Sequence, residues 1–338
     1  LSVLVMSIDS CVNDRSLISC LPSTGLHLGP SDDAYVWQRE MKPIASTIFI
    51  RLMHHSNYIL SFALIVLLSA CQGGASRQNT DAATPPASES PQALAISEGL
   101  SVDHFNIWVT DPEKAKKRLM DIGFTAVPDS LSEVHHGQGT TGRYFNFLNG
   151  YLELIFVNDS AELQENNKAN PELDFTARAD FGKNGASPFS IALKMKDYDP
   201  ERIPFQKVRY HQSWMKEGVA IYAAKRSKTH LNEPSVFVVY PEIVADHFET
   251  LADLQKIPEE YAFWRECFKH PNGAQRVTRI NITSTDVDRA AETIQTLNGI
   301  DILTVQRGPA HLMELYFDDQ VQGQSFDLRP EIPIVIYL

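Results

Sequence analysis

An imidazole and a carboxylate carried on neighbouring strands suit either a divalent cation or proton transfer, and His104 and Glu153 have the spacing for such an arrangement. Residues 102–109 alternate, with Phe105, Ile107 and Val109 on one face and His104, Asn106 and Trp108 on the other. Residues 151–157 do the same: Leu152, Leu154 and Phe156 form a side for helices to cover, and Tyr151, Glu153 and Ile155 point the opposite way. If the two strands share a sheet, His104 and Glu153 face one cavity on its concave side. A cation such as Zn²⁺, Mn²⁺, Fe²⁺ or Mg²⁺ held there would polarise a substrate oxygen. Without a cation, Glu153 would act as a base, or the two side chains would hydrogen-bond each other or an organic ligand.

The stretch from His135 to Arg143 is the second place where chemistry is legible. Gly137, Gly139 and Gly142 give the backbone freedom to turn its N–H groups toward an anion or carbonyl beside Arg143. The plainer alternative is a glycine-rich hairpin loop. No Gly-Lys-Ser/Thr follows, so it is not a phosphate loop, and the chain has neither a Gly-x-Ser-x-Gly elbow nor a cysteine pair with zinc spacing. Cys267 reads as a buried thiol, the aromatic run 261–264 as core packing on a helix, and Asp318-Asp319 as a solvated turn.

The elements that must position these groups follow from the same patterning. Asp111-Pro112 opens a helix after the first strand, Ala115, Leu119 and Ile122 recur at helical spacing, and Gly123 stops it. Strands follow near residues 144–148 and 151–157. The opening is then repeated: residues 276–285 form a strand, Asp286 caps a helix with the stripe Ala290, Ile294 and Leu297, and Gly299 ends it. In register, Asn106-Ile107 matches Asn281-Ile282 and Thr110-Asp111 matches Thr285-Asp286. Later strands fall near residues 311–317 and 325–329. A fainter third start lies at residues 189–195 and closes on residues 236–240. The fold class expected is α+β: paired β-α-β-β-β modules forming curved mixed sheets around a cavity, with units at about 100–157, 188–243 and 276–330 inside a domain of residues 99–335.

Asp103-His104, the run His136-Gly137-Gln138-Gly139-Thr140, Tyr151-Leu152-Glu153-Leu154 and His270-Pro271-Asn272-Gly273-Ala274 together resemble the glyoxalase-like domains of the vicinal oxygen chelate (glyoxalase/bleomycin resistance/dioxygenase) superfamily. The resemblance spans roughly residues 100–330. It implies metal ligands from the first and last strands of paired modules, places that His104 and Glu153 match. The partner places hold Ser190 and Arg279, and Asp327 or the apolar run Val238-Val239-Tyr240. A catalytic metal usually has three protein ligands, and His136, His230 and Asp327 are all candidates for the third. Substrate contacts implied are His136, Gly139, Thr140, Arg143, Asn106 and Trp108, although Gly142 stands where the related pattern has Asn. The function implied is a metal-dependent lyase, isomerase or dioxygenase acting on a small oxygenated molecule. The alternative is a binding protein that uses the same cavity without turnover. A homodimer is one assembly that this would allow.

The front of the chain carries a different message. Residues 58–68 are an uncharged apolar run, shorter than the ~20 residues a spanning helix needs. Leu68-Ser69-Ala70-Cys71 after it resembles the bacterial lipobox, so Cys71 is the expected lipidation site and residues 53–71 the signal segment. Gln72 after the cysteine implies the outer membrane, facing the periplasm. Residues 72–98, rich in Gly, Ser, Ala and Pro, read as a disordered tether. Residues 1–52, which include Cys11 and Cys20, read as an extension, with Met41 or Met53 as the start. The composition, 43% hydrophobic and 21% charged, is that of a globular protein, and the net charge of -12 argues against nucleic acid as a partner.

Overall fold

Strand β1 (Leu100–Trp108) shows how the site is set: Phe105 and Ile107 enter the core while His104, Asn106 and Trp108 face a cavity. The computed structural model describes residues 97–132 and 134–338. The extension, the apolar run, Cys71 and nearly all of the tether lie outside the described residues. Among those described, no helix is long and apolar enough to cross a membrane.

Helix α1 (Pro112–Asp121) begins as the sequence suggests. The Asp111 carboxylate accepts from the Lys114 amide at 3.0 Å, Pro112 occupies the first turn, and Ala115 and Leu119 are buried. The chain then forms β2 (Val134–His135), β3 (Thr140–Phe147) and β4 (Gly150–Val157). β4 returns beside β1 in parallel, setting Glu153 opposite Asn106, and β3 pairs antiparallel with β4, setting Tyr144 opposite Glu153. Three helices follow: α2 (Ser160–Ala169), α3 (Phe175–Ala179) and α4 (Phe181–Asn184).

The middle unit consists of β5 (Phe189–Met195), β6 (Lys207–Tyr210), β7 (Ile221–Ala224), the short α5 (Arg226–Thr229) and β8 (Ser235–Val238). It has no crossover helix like α1; a single 3-10 turn, Pro200–Arg202, stands between β5 and β6. Its strands join those of the first unit in one eight-stranded sheet, ordered β2-β3-β4-β1-β5-β8-β7-β6. The order is mirrored about the antiparallel β1/β5 seam, and β5 is parallel to β8 as β1 is to β4. The first and middle units are therefore the pair that share the curled sheet.

The last unit does not copy the first. After the short α6 (Ala262–Glu266) come β9 (Val277–Ser284), α7 (Glu292–Asn298), β10 (Leu303–Arg307), β11 (Leu312–Phe317), β12 (Ser325–Asp327) and β13 (Ile334–Tyr337). They build a second mixed sheet ordered β10-β9-β11-β13-β12. Here β10, the strand right after the helix, lies parallel to β9, whereas in the first unit two strands intervene before β4 does so. Asp286 does not cap the helix either. The Asp288 amide donates to Glu233 at 2.9 Å, which holds this turn outside the helix, and α7 starts after Ala291. The buried stripe is Ala291, Ile294 and Leu297, and Ala290 is exposed.

One apolar core runs behind both sheets. Phe147 and Phe124 pack on Phe317, with centroids 4.9 and 5.4 Å apart. The His270-to-Ala274 motif clamps the end of α1 to the strand region before β9. Asn272 donates to the Ile122 carbonyl at 3.0 Å, and a side chain at Gly123 (φ +86) would meet the Asn272 Cβ at 2.9 Å.

Candidate functional site

The concave face of the eight-stranded sheet holds a cavity of about 190 Å³. His104, Asn106 and Trp108 from β1 line it, with Tyr151, Glu153 and Ile155 from β4. His135, Gln138 and Tyr144 complete the first unit's wall. Ile221 and Ala223 from β7, Val236 and Phe237 from β8 and Val239 just after it make the apolar part of the opposite one, beside Ser190 and Ser235.

His104 is 5% exposed, and its Nδ1 lies 2.7 Å from Oδ2 of Asp103, which has no exposed surface. The other oxygen of Asp103 accepts from the Ala245 amide at 2.9 Å and faces the Lys194 ammonium at 3.8 Å. With a carboxylate at Nδ1, the neutral ring carries its proton there and presents Nε2 as an acceptor. The ring stacks on Tyr151 at 4.2 Å and meets Phe237 edge-on at 5.6 Å, which fixes its plane. Burial pulls the Lys194 ammonium below its ordinary range, and Asp103 opposes that shift. Neighbours on a strand normally point to opposite faces. Asp103 reaches His104 because the β1/β5 register shifts between Val102 and His104, a bulge that re-aims the side chains.

Glu153, 3% exposed, is held by hydrogen-bond donors. The Asn106 amide donates to Oε2 at 2.5 Å, the Tyr144 hydroxyl lies 3.3 Å from Oε1, and Nε2 of His135 is 3.8 Å from the same oxygen. Gly142 makes room for this group, since a Cβ there would lie 2.5 Å from Oε1 and 2.7 Å from Cζ of Tyr144. Below it, Thr140 Oγ1 binds His135 Nδ1 at 2.8 Å and accepts from Gln138 at 2.7 Å. Tyr210 then donates to Gln138 at 3.0 Å, and burial raises its phenol pKa.

The glycine run is a hairpin turn with its amides engaged inside the protein. The Gly137 amide donates to Glu162 at 2.5 Å, and the Gln138 amide to the His135 carbonyl. Gly139 (φ +78) packs against the start of α2, where a Cβ would lie 2.3 Å from the Leu163 nitrogen. His136 is exposed outside the cavity lining, and its neighbour His135 is the one that faces in. Arg143 also points away: it pairs with Glu113 at 2.9 Å and lies over the Phe156 ring. Of the six substrate contacts expected, Asn106 and Trp108 line the cavity, and Thr140 supports His135 and Gln138 from behind.

The donor set does not fit a cation held by three protein ligands. Among the described residues, no three His, Cys, Asp or Glu side chains gather for one. His230 is exposed and bonded to Thr229, and Asp327 pairs with Arg329 on the second sheet.

A profile of the Glyoxalase-like domain matches residues 102–298, from β1 to the end of α7 and more than half of the chain. The chain belongs to this family. A solved structure of a hypothetical protein from Staphylococcus aureus is 13% identical, with 70% of this chain and 98% of that one covered and a TM-score of 0.42. A search of curated proteins finds no match. In this glyoxalase-like domain the expected pair, His104 and Glu153, does face one cavity. His135, Tyr144 and the Asp103 carboxylate were not assigned from sequence. Extending the alternation of β3 back to Thr140 would have found Tyr144. No local pattern marks the bulge at Asp103. Cys267 is buried, with its thiol pushed up to about 11 by desolvation, so it has no part in the site.

Proposed function

We propose that this glyoxalase-like domain is an acid–base enzyme that moves a proton in a small carbonyl or hydroxyl compound, with Glu153 as the base and His104 as its partner. The observation that carries the reading is one cavity lined by two buried proton-transfer groups, each oriented by its own partners. Glu153 takes a proton from carbon beside a carbonyl. In an α-hydroxycarbonyl substrate, Nε2 of His104 accepts the hydroxyl proton, with Asp103 steadying the imidazolium, and passes it to the carbonyl oxygen, while Glu153 returns its proton to the former carbonyl carbon, so the carbonyl shifts by one carbon with no other reactant. Asn106 and Tyr144 fix the carboxylate near the reacting carbon, and Trp108 and Phe237 keep water away. A second reading, capture of a ligand without turnover, is supported by the apolar opposite wall.

Proton NMR in D₂O with phenylacetone as the probe tests this. The reading expects the protein to catalyse loss of the α-proton signals, and Glu153→Gln to abolish it while binding persists. Binding of the ketone without exchange above the buffer rate would leave the capture reading. We further propose that the domain is tethered by lipid through Cys71 to the outer membrane, facing the periplasm, on the strength of the apolar run and the lipobox-like residues. Incorporation of labelled palmitate that persists in Cys71→Ser would refute that.

A further inference from the structure

The cavity's walls differ in kind, and the difference selects a ligand. Polar side chains crowd the first unit's wall: His104, Asn106, His135 and Glu153. Where that unit carries Glu153 on its last strand, the middle unit's last strand and its flank offer Val236, Phe237 and Val239, and the hydroxyls of Ser190 and Ser235 beside them bond each other. We propose that the site takes an uncharged, amphiphilic small molecule, with one hydroxyl or carbonyl head against Glu153 and His104 and a hydrocarbon body against β7 and β8. This deepens the proposed function by naming the class of substrate.

Charge excludes the anionic alternative. Among the described residues, two permanent cations line the cavity, Arg178 and Lys228, and both are engaged with backbone carbonyls. Arg178 donates to Leu231 and Glu233 at 2.7 and 2.6 Å, and desolvation lowers its pKa to about 10. Each lining histidine already faces a carboxylate, His104 that of Asp103 and His135 that of Glu153. A carboxylate ligand would lose its water and meet Glu153 and Asp174, whereas Arg178 already faces the Glu233 charge and Lys228 lies exposed to solvent. The chain's net charge of -12 also disfavours its approach.

Calorimetry at pH 7 with three molecules of one skeleton tests the proposal: 3-phenylpropan-1-ol, 3-phenylpropanoate and 3-phenylpropylammonium. The alcohol is expected to bind at least about tenfold more tightly than the carboxylate, a margin worth about 1.4 kcal/mol. Phe237→Ala should weaken the alcohol severalfold, and Glu153→Gln should narrow the gap between alcohol and carboxylate. The proposal is overturned if the carboxylate or the ammonium binds as well as the alcohol, or if the alcohol does not bind at millimolar concentration. Since the readout is binding, a protein that binds the alcohol but does not exchange ketone protons would end the catalytic reading and leave this one standing.

Discussion

Replacing Asp103 with Asn keeps its volume and removes its charge, which isolates what the carboxylate does for His104. Its oxygens accept from His104 at 2.7 Å and from the Ala245 amide at 2.9 Å, and a Lys194 ammonium stands 3.8 Å away. The backbone amide can only donate, so the Asn carbonyl must turn toward Ala245 and its NH₂ toward His104. Nδ1 then has to accept, and the ring proton moves to Nε2, the nitrogen the proposed chemistry needs as an acceptor. A hydrogen bond to a charged group contributes about 1.5–3 kcal/mol, so the Asn variant should lose roughly 2 kcal/mol of stability. Asp103→Ala removes both bonds and leaves a largely buried ammonium without its counterion, for a loss of about 3–5 kcal/mol. Urea unfolding gives the stabilities, and long-range ¹H–¹⁵N correlation of the imidazole gives the tautomer. An Asn variant as stable as wild type that still carries its proton on Nδ1 would refute this account of the pair.

Other outcomes follow from the same geometry. His270 is buried and held near pKa 4 by desolvation, its Nδ1 accepting from the Thr125 amide and its Nε2 donating to the Asn146 carbonyl, both at 2.9 Å. Its folded pKa lies below the unfolded value of about 6.5, so stability is fully present above pH 6.5 and falls as the pH drops toward 4, by up to ~3 kcal/mol; denaturation across that window should show a slope that His270→Gln flattens. Gly142→Ala places a methyl group 2.5 Å from the Glu153 carboxylate, and proton exchange should fall by about 10²-fold with the circular dichroism unchanged. Gly139→Ala drives a Cβ into the backbone of Asp159 and Leu163 from a positive-φ position, and should destabilise the domain by about 3 kcal/mol or more in urea. Because the donor set lacks a third ligand, treatment with EDTA should leave the affinity for the alcohol unchanged by calorimetry.

The face of each long strand was legible because alternation is strict where one side is buried. Ile107 and Leu154 in the core set His104 and Glu153 toward the cavity, whatever the rest of the chain does. What failed to show were features that local pattern does not encode. Arg143 reads as a loop residue if the strand is begun at Tyr144. With β3 starting at Thr140, the same alternation sends Arg143 to the far side of the sheet, where Glu113 waits. His135 and His136 are indistinguishable in the sequence, because β2 is two residues long, ends at His135 and takes its register from its partner β3. The likeness between residues 106–115 and 281–290 is real as a strand-and-turn opening. Topology, however, depends on which strand the chain reaches next, and that is decided over tens of residues. The Gly137 amide donates to Glu162, and the Gly139 carbonyl accepts from the Asn158 and Asp159 amides just before α2, contacts that no local motif reveals.

The account stands on two groups, distant in the chain, acting on one bound molecule. Chemical shifts of the His104 ring nitrogens and the Glu153 carboxyl carbon, followed in labelled protein during titration with 3-phenylpropan-1-ol, report on both together. The account predicts that both signals move along one saturation curve with one Kd. Movement of only one, or two curves with different midpoints, would contradict it.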